Sequence, residues 1–95
     1  MAKNEYIRKD PQLEETLENH VGDERHLILH NDDVHTFDYV IESLVKVCEL
    51  EPIQAEQCTY LVHYKGKCDV KKGDFKFLRP YKKGLVERGL EATID

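Results

Sequence analysis

The alternation of apolar and polar residues along the chain becomes regular from about residue 26 onward. The segment His26–His30 is a short apolar run rich in strand-forming residues. It stops at Asn31-Asp32-Asp33, three residues whose side chains bond to nearby backbone and favour turns. The pattern therefore predicts a first strand that ends in a polar turn.

Two helices are predicted after this turn. The first has an apolar stripe at helical spacing, follows Thr36 as its N-cap and reaches about Glu49; the stripe consists of Phe37, Val40, Ile41, Leu44 and Cys48. Pro52 suits the first position of the second helix, and Gly66 suits its end. The inner face of the second helix is predicted to be Ala55, Cys58, Thr59 and Val62.

The last third of the chain predicts a strand, a helix and a strand. Residues 67–71 alternate in polarity and indicate a short strand. A third helix is indicated by apolar residues at helical spacing, namely Phe75, Leu78, Tyr81 and Leu85. Because a proline inside a helix removes a hydrogen bond, this helix either kinks at Pro80 or begins there. Leu90, Ala92 and Ile94 alternate in a last strand.

These elements predict one small α+β domain over residues 24–95, in the order β-α-α-β-α-β. We expect a three-stranded antiparallel sheet with the helices packed on one face. Residues 1–23 are rich in charge and poor in large apolar side chains, which is typical of a flexible amino-terminal extension.

Composition narrows the possible functions. The chain has 95 residues and a net charge of −5, which argues against nucleic-acid binding and suits a cationic ligand. We expect no membrane partner, because no apolar run approaches the length of a membrane-spanning helix. Without an export signal, the three cysteines (Cys48, Cys58 and Cys68) are expected to be reduced thiols in the cytoplasm.

The turn offers the first candidate site. A protonated α-amine presents three N–H donors, and an amide oxygen, a carboxylate and a neutral imidazole nitrogen are suitable acceptors for them. Asn31, Asp32 and His63 supply this set if the second helix packs against the end of the first strand. Taken alone, the same run is more typical of a plain turn; in the clamp interpretation, Asp33 supports the turn.

Two catalytic alternatives are weaker. A metal site could use His30, Asp32, Asp33, His35 and His63. However, His30 and Asn31 point to opposite sides of an extended strand, and no two histidines lie at i, i+4 on a predicted helix. Cys58 and His63 share a helix, but a buried thiol on the apolar stripe should be inert. We therefore expect no catalytic residue, no metal and no cofactor.

Several segments together resemble the ClpS family. The matching segments span residues 27–33, 37–44, 55–67 and 92–95, and read LILHNDD, FDYVIESL, AEQCTYLVHYKGK and ATID. The resemblance covers about residues 25–95. It implies a non-enzymatic, cytoplasmic adaptor of the N-end-rule pathway, expected to be a monomer. Such adaptors bind proteins (N-degrons) whose first residue is Leu, Phe, Tyr or Trp and deliver them to the ClpA-type AAA+ unfoldase of the ClpAP protease.

The resemblance also implies roles for individual residues. Asn31, Asp32 and His63 match the family's α-amine clamp, and the extension at residues 1–23 matches the segment needed for substrate delivery. The candidate side-chain pocket consists of His35, Phe37, Val40, Thr59, Val62 and Leu90. Phe37 and Thr59 stand where the family has methionines, and Val34 and His35 also depart from the family pattern. The docking surface on the third helix is not plainly matched.

One alternative function uses the same fold. A generic protein-interaction module, like the carboxy-terminal domain of the ribosomal stalk protein, would bind its partner without an amine pocket. A small metal-dependent hydrolase built on the histidines near the turn is the alternative from another class. A pocket lined together by Asn31, Asp32 and His63 would favour the adaptor over both.

Overall fold

The computed structural model describes residues 23–95, and the element order β-α-α-β-α-β is confirmed. The elements are β1 (Arg25–His30), α1 (Phe37–Cys48), α2 (Pro52–Lys65), β2 (Lys67–Gly73), α3 (Phe75–Glu87) and β3 (Glu91–Ile94). Apart from Asp23, the predicted amino-terminal extension lies outside the described residues. Within residues 23–95, none of the helices is long and apolar enough to cross a membrane.

The three strands form one antiparallel sheet with β1 in the centre, in the order β2-β1-β3. Leu29 of β1 pairs with Cys68 on one side and with Ala92 on the other, and all three side chains are buried. Because side chains alternate along a strand, these residues face the core from one side of the sheet. A bulge in β2 between the partners of Leu27 and Ile28 ends the regular register.

The helices bury this face of the sheet. Leu44 of α1 and Leu78 and Leu85 of α3 are fully buried, as is Leu27 of β1. The predicted inner face of α2 is also buried, and it consists of Ala55, Cys58, Thr59 and Val62. The amphipathic patterns of α1 and α3 therefore select which side of these two helices packs inward, whereas α2 has almost no such pattern.

Polar side chains cap the first turns of α1 and α3. Thr36 Oγ1 accepts a hydrogen bond from the Tyr39 backbone N–H at 3.1 Å, as predicted for the N-cap of α1. Asp74 Oδ1 accepts from the Phe77 N–H at 2.8 Å and caps α3. Since this cap places the start of α3 at Phe75, the alternative in which the helix begins at Pro80 is wrong.

The bonding of the cysteines differs from the expectation of three reduced thiols. Cys58 on α2 and Cys68 on β2 form a disulfide, with their Cα atoms 5.8 Å apart, so the prediction that all three thiols are reduced is wrong for this pair. Both lie on inward faces of adjacent elements, which sequence spacing alone does not reveal. Cys48 remains free, and burial raises the pKa of its thiol to about 11.

We predict distinct alkylation behaviour for the three cysteines. After unfolding without reductant, iodoacetamide should modify Cys48 alone, because a disulfide has no thiol to react. In the folded protein Cys48 should also be protected, since it is buried and its raised pKa leaves little thiolate. Peptide mass spectrometry after differential alkylation measures each site.

Reduction provides the control for this experiment. Treatment with dithiothreitol should expose Cys58 and Cys68 to alkylation and lower the free energy of unfolding by about 3 kcal/mol, because a loop of about ten residues is no longer closed in the unfolded chain. Modification of all three cysteines without reductant would contradict the disulfide assignment.

Candidate functional site

A backbone hydrogen bond brings the turn and α2 together. The Asn31 N–H donates to the Gly66 carbonyl oxygen at 3.0 Å, directly beyond the last β1–β2 pair, His30 with Lys67. Gly66 ends α2 with φ +93°, a left-handed conformation that glycine adopts without steric cost. His63 lies three residues earlier on α2, so this bond sets the turn beside the helix end that carries His63.

Asp32 holds the turn through its carboxylate. Its Oδ1 accepts hydrogen bonds from the backbone N–H groups of Val34 at 2.8 Å and His35 at 3.0 Å. This is an Asx-type turn, in which a side chain replaces a backbone acceptor. The sequence assigned support of the turn to Asp33, whose side chain is exposed; the turn-stabilising hydrogen bonds are made by Asp32 instead.

The His35 ring also binds Asp32. Its Nδ1 lies 3.2 Å from both carboxylate oxygens, and its ring stacks on Tyr39 with centroids 4.8 Å apart. Burial opposes the charged form of Asp32 and is the largest single influence on it. The hydrogen bonds from His35 and Val34 together outweigh burial and lower the pKa of that carboxyl below its ordinary value. Asp32 is therefore an ionised, oriented acceptor at neutral pH.

A pocket lies between the turn, α1, α2 and the start of β3, and the empty space within it and at its open mouth is about 350 Å³, part of which is bulk solvent. It brings together the nine predicted clamp and pocket residues, which are Asn31, Asp32, His35, Phe37, Val40, Thr59, Val62, His63 and Leu90. Their roles in binding a ligand remain a prediction, but their convergence on one cavity is a property of the fold.

The polar rim of the pocket retains unused acceptors. Among residues 23–95, no side-chain hydrogen bond involves Asn31 or His63, so the amide oxygen and one nitrogen of a neutral imidazole can accept from a ligand. An ionised carboxylate has about four acceptor positions. Asp32 can therefore bind a further donor while it holds the turn.

The wall of the pocket is apolar and aromatic. Thr59 is buried and its hydroxyl donates to the Ala55 carbonyl oxygen at 2.8 Å, so its hydrogen is already bonded within α2. The Phe37 ring contacts the His63 ring edge-to-face, with centroids 5.4 Å apart. The cavity thus combines acceptors at its rim with a hydrophobic interior, a combination suited to a cation that carries an apolar group.

Four residues of the alternative metal set line the same pocket, namely His30, Asp32, His35 and His63. His30 Nε2 lies 2.8 Å from Thr93 Oγ1 on β3. No group of three or more His, Cys, Asp or Glu side chains is placed to hold a metal ion in the described part of the chain. Cys58 is bonded to Cys68 and so presents no thiol to His63.

Some residues of the site were missed in the sequence. Leu29 and His30 also line the pocket, because β1 ends at its floor. The Tyr39 ring stacks on the His35 ring. Gly89 lies close to the Nε2 edge of the same ring, since a Cβ on Gly89 would approach His35 Nε2 to 3.1 Å. Only the i, i+4 spacing of His35 and Tyr39 could have signalled part of this arrangement.

The fold and the pocket define a small α+β binding module. The family model described as ATP-dependent Clp protease adaptor protein ClpS matches residues 22–93, which is well over half of the chain, and the chain belongs to this family.

Comparison with solved structures agrees with this fold. The structure of Agrobacterium tumefaciens ClpS2 bound to L-phenylalaninamide is similar, with a TM-score of 0.64 and 16% sequence identity, over 76% of this chain and 94% of that chain. No curated protein matches this chain.

We predict that the charge of Asp32 stabilises the domain. Asp32→Asn keeps one acceptor for the turn but loses the charge, so the free energy of unfolding at about pH 7 should fall by about 0.5–1.5 kcal/mol. Because the folded pKa lies below the ordinary 3.8, this stabilisation is present above that pH and is lost as the pH falls through the folded value. Urea denaturation across this pH range measures the difference.

Asp33→Asn is the matched control, because it removes the same charge from the adjacent, exposed position. It should change stability by less than about 0.5 kcal/mol. Equal effects of the two substitutions would show that overall charge, and not the turn, is responsible.

Proposed function

We propose that this chain is an N-end-rule adaptor, which binds proteins by a free α-amine and a large hydrophobic first residue. The observation that carries the proposal is the single pocket lined by Asn31, Asp32 and His63 above an apolar wall. Family membership supports it, because the family consists of adaptors of an ATP-dependent protease. A generic protein-interaction module of the same fold would not require these three acceptors to line one pocket.

The three acceptors would bind the amine as a set. A protonated amine directs its N–H donors in three directions, and Asn31, Asp32 and His63 would accept one each. Asp32 contributes most, because it is ionised and charge-assisted hydrogen bonds are the stronger kind. An acetylated or internal residue lacks the three donors, so the acceptors that it covers on binding would be left unpaired, at about 1–3 kcal/mol each, and it would be rejected.

The apolar wall would bind the first side chain. Burial of a Leu or Phe side chain contributes about 1.5–3 kcal/mol, and a short or charged side chain forgoes this gain. L-phenylalaninamide, the ligand of the similar ClpS2 structure, has a free amine and a benzyl side chain, the two groups that the pocket described here would accept. We propose Leu, Phe, Tyr and Trp as the accepted first residues.

The remaining parts of the proposal concern delivery. The chain would act as a cytoplasmic monomer without covalent chemistry, and a ClpA-type AAA+ unfoldase of the ClpAP protease would receive the bound protein.

The clamp is tested by peptide binding. Asp32→Asn and His63→Ala should each weaken binding of a labelled Leu- or Phe-starting peptide by about 10–100-fold, because each removes one acceptor from a cationic donor. Fluorescence anisotropy measures the affinity, and circular dichroism establishes that the variants are folded.

Two controls accompany this test. Asp33→Asn should leave affinity within about 2-fold of the unmodified protein, and an amino-terminally acetylated peptide should fail to bind it. Unchanged affinity in folded Asp32→Asn, or equal binding of the acetylated peptide, would refute the amine clamp.

The extension is expected to matter for delivery and not for binding. A chain lacking residues 1–22 retains the whole pocket, so its affinity for a Leu-starting peptide should not change. Degradation of a Leu-starting reporter protein by the reconstituted unfoldase and protease should be lost. Normal degradation with the truncated chain would contradict this role of the extension.

A further inference from the structure

We propose that an aromatic ledge beside the pocket binds an aromatic side chain in the ligand segment that follows the first residue. The ledge consists of Tyr60 and Tyr64 on α2. This inference rests on the proposed function, because it assigns a second point of contact to the same ligand.

The two rings of the ledge are exposed and parallel. Tyr60 is 46% exposed and Tyr64 is 74% exposed. They are one helical turn apart, with ring centroids separated by 6.0 Å and planes inclined by 4°. Tyrosine is enriched among the residues that contribute most to binding at protein interfaces, so this exposed pair is a candidate binding surface.

The ledge is continuous with the pocket. Phe37, which lines the pocket, contacts Tyr60 edge-to-face with centroids 5.0 Å apart. His63, a candidate amine acceptor, contacts Tyr64 edge-to-face at 4.9 Å. Each ring of the ledge thus touches a residue of the pocket rim, and a ligand leaving the pocket on this side meets the ledge.

The reach of a peptide fits this arrangement. Consecutive Cα atoms are about 3.8 Å apart, so the second and third residues of a ligand anchored at the rim lie within one or two ring diameters of it. An aromatic side chain there can pack against Tyr60 or Tyr64 in the offset or edge-to-face geometry that ring pairs prefer. The ledge would then contribute to the choice among ligands that share the same first residue.

The experiment compares peptides that differ only after Leu at the first position. Leu-Phe-Gly-Gly and Leu-Gly-Phe-Gly, each labelled at the carboxyl end, are titrated beside Leu-Gly-Gly-Gly by fluorescence anisotropy. At least one phenylalanine peptide should bind about 2- to 10-fold more tightly than the glycine peptide. The gain should disappear in Tyr60→Ala/Tyr64→Ala, while the affinity for Leu-Gly-Gly-Gly stays within about 2-fold.

Phe77→Ala is the matched control variant, because Phe77 on α3 is also 46% exposed but does not line the pocket. It should keep the full gain from phenylalanine. Peptides with lysine in place of phenylalanine separate aromatic contact from attraction of a cation, and they should bind like the glycine peptide.

The outcomes distinguish this inference from the proposed function. If Leu-Gly-Gly-Gly binds in an Asp32-dependent way but phenylalanine adds nothing, the ledge assignment is wrong and the amine clamp stands. Tighter binding of the lysine peptides than of the phenylalanine peptides would also overturn the ledge assignment. So would a ledge that serves only contacts between copies of this chain, seen as self-association that the double variant loses while phenylalanine gives no gain in affinity. If no Leu-starting peptide binds, both the proposed function and this inference fail.

Discussion

The hydrogen bond from the Asn31 N–H to the Gly66 carbonyl oxygen closes the β1–β2 ladder at the edge of the pocket. On one side of this bond β1 passes into the acidic turn, and on the other side α2 ends. Residues 31 and 63 are far apart in sequence, and this closure makes them neighbours. The candidate site therefore depends on strand pairing first, and on the chemistry of its side chains second.

A second set of contacts holds the turn against α1 and the end of α3. Asp32 binds the turn and the His35 ring, His35 stacks on Tyr39, and the Tyr39 hydroxyl donates to the Arg88 carbonyl oxygen at 2.6 Å. The Arg88 Nε in turn donates to Ser43 Oγ at 2.7 Å, which returns the network to α1. The turn is thus linked to the end of α3 through buried or half-buried groups, so Asp32 is oriented before any ligand arrives.

The sequence predicted much of this fold because its signals are local. Thr36 and Pro52 mark helix starts, Gly66 marks a helix end, and the apolar stripe of α1 points to the core. The Cys58–Cys68 bond was missed because it depends on a tertiary distance. The hydrogen bonds by which Asp32 also holds the turn were missed because the sequence does not show which of two adjacent carboxylates faces the backbone. The clamp of Asn31, Asp32 and His63 was proposed from the donors of an amine, and the side-chain pocket from the family resemblance; local sequence alone favoured a plain turn.

Phe37 and His35 both depart from the family pattern, and they lie in different parts of the same site. Phe37 replaces a flexible thioether by a rigid ring that contacts both Tyr60 and His63, so it connects the pocket wall to the exposed face of α2. His35 adds a ring to the Asp32 carboxylate and lowers its pKa. Under the proposed function, the change at Phe37 would affect which first side chains fit the pocket, and the change at His35 would affect how firmly the Asp32 carboxylate binds a charged amine. Since the Phe37 ring also contacts His63, a candidate amine acceptor, both departures touch the candidate clamp, and under the proposed function selectivity for the side chain and affinity for the amine would be coupled.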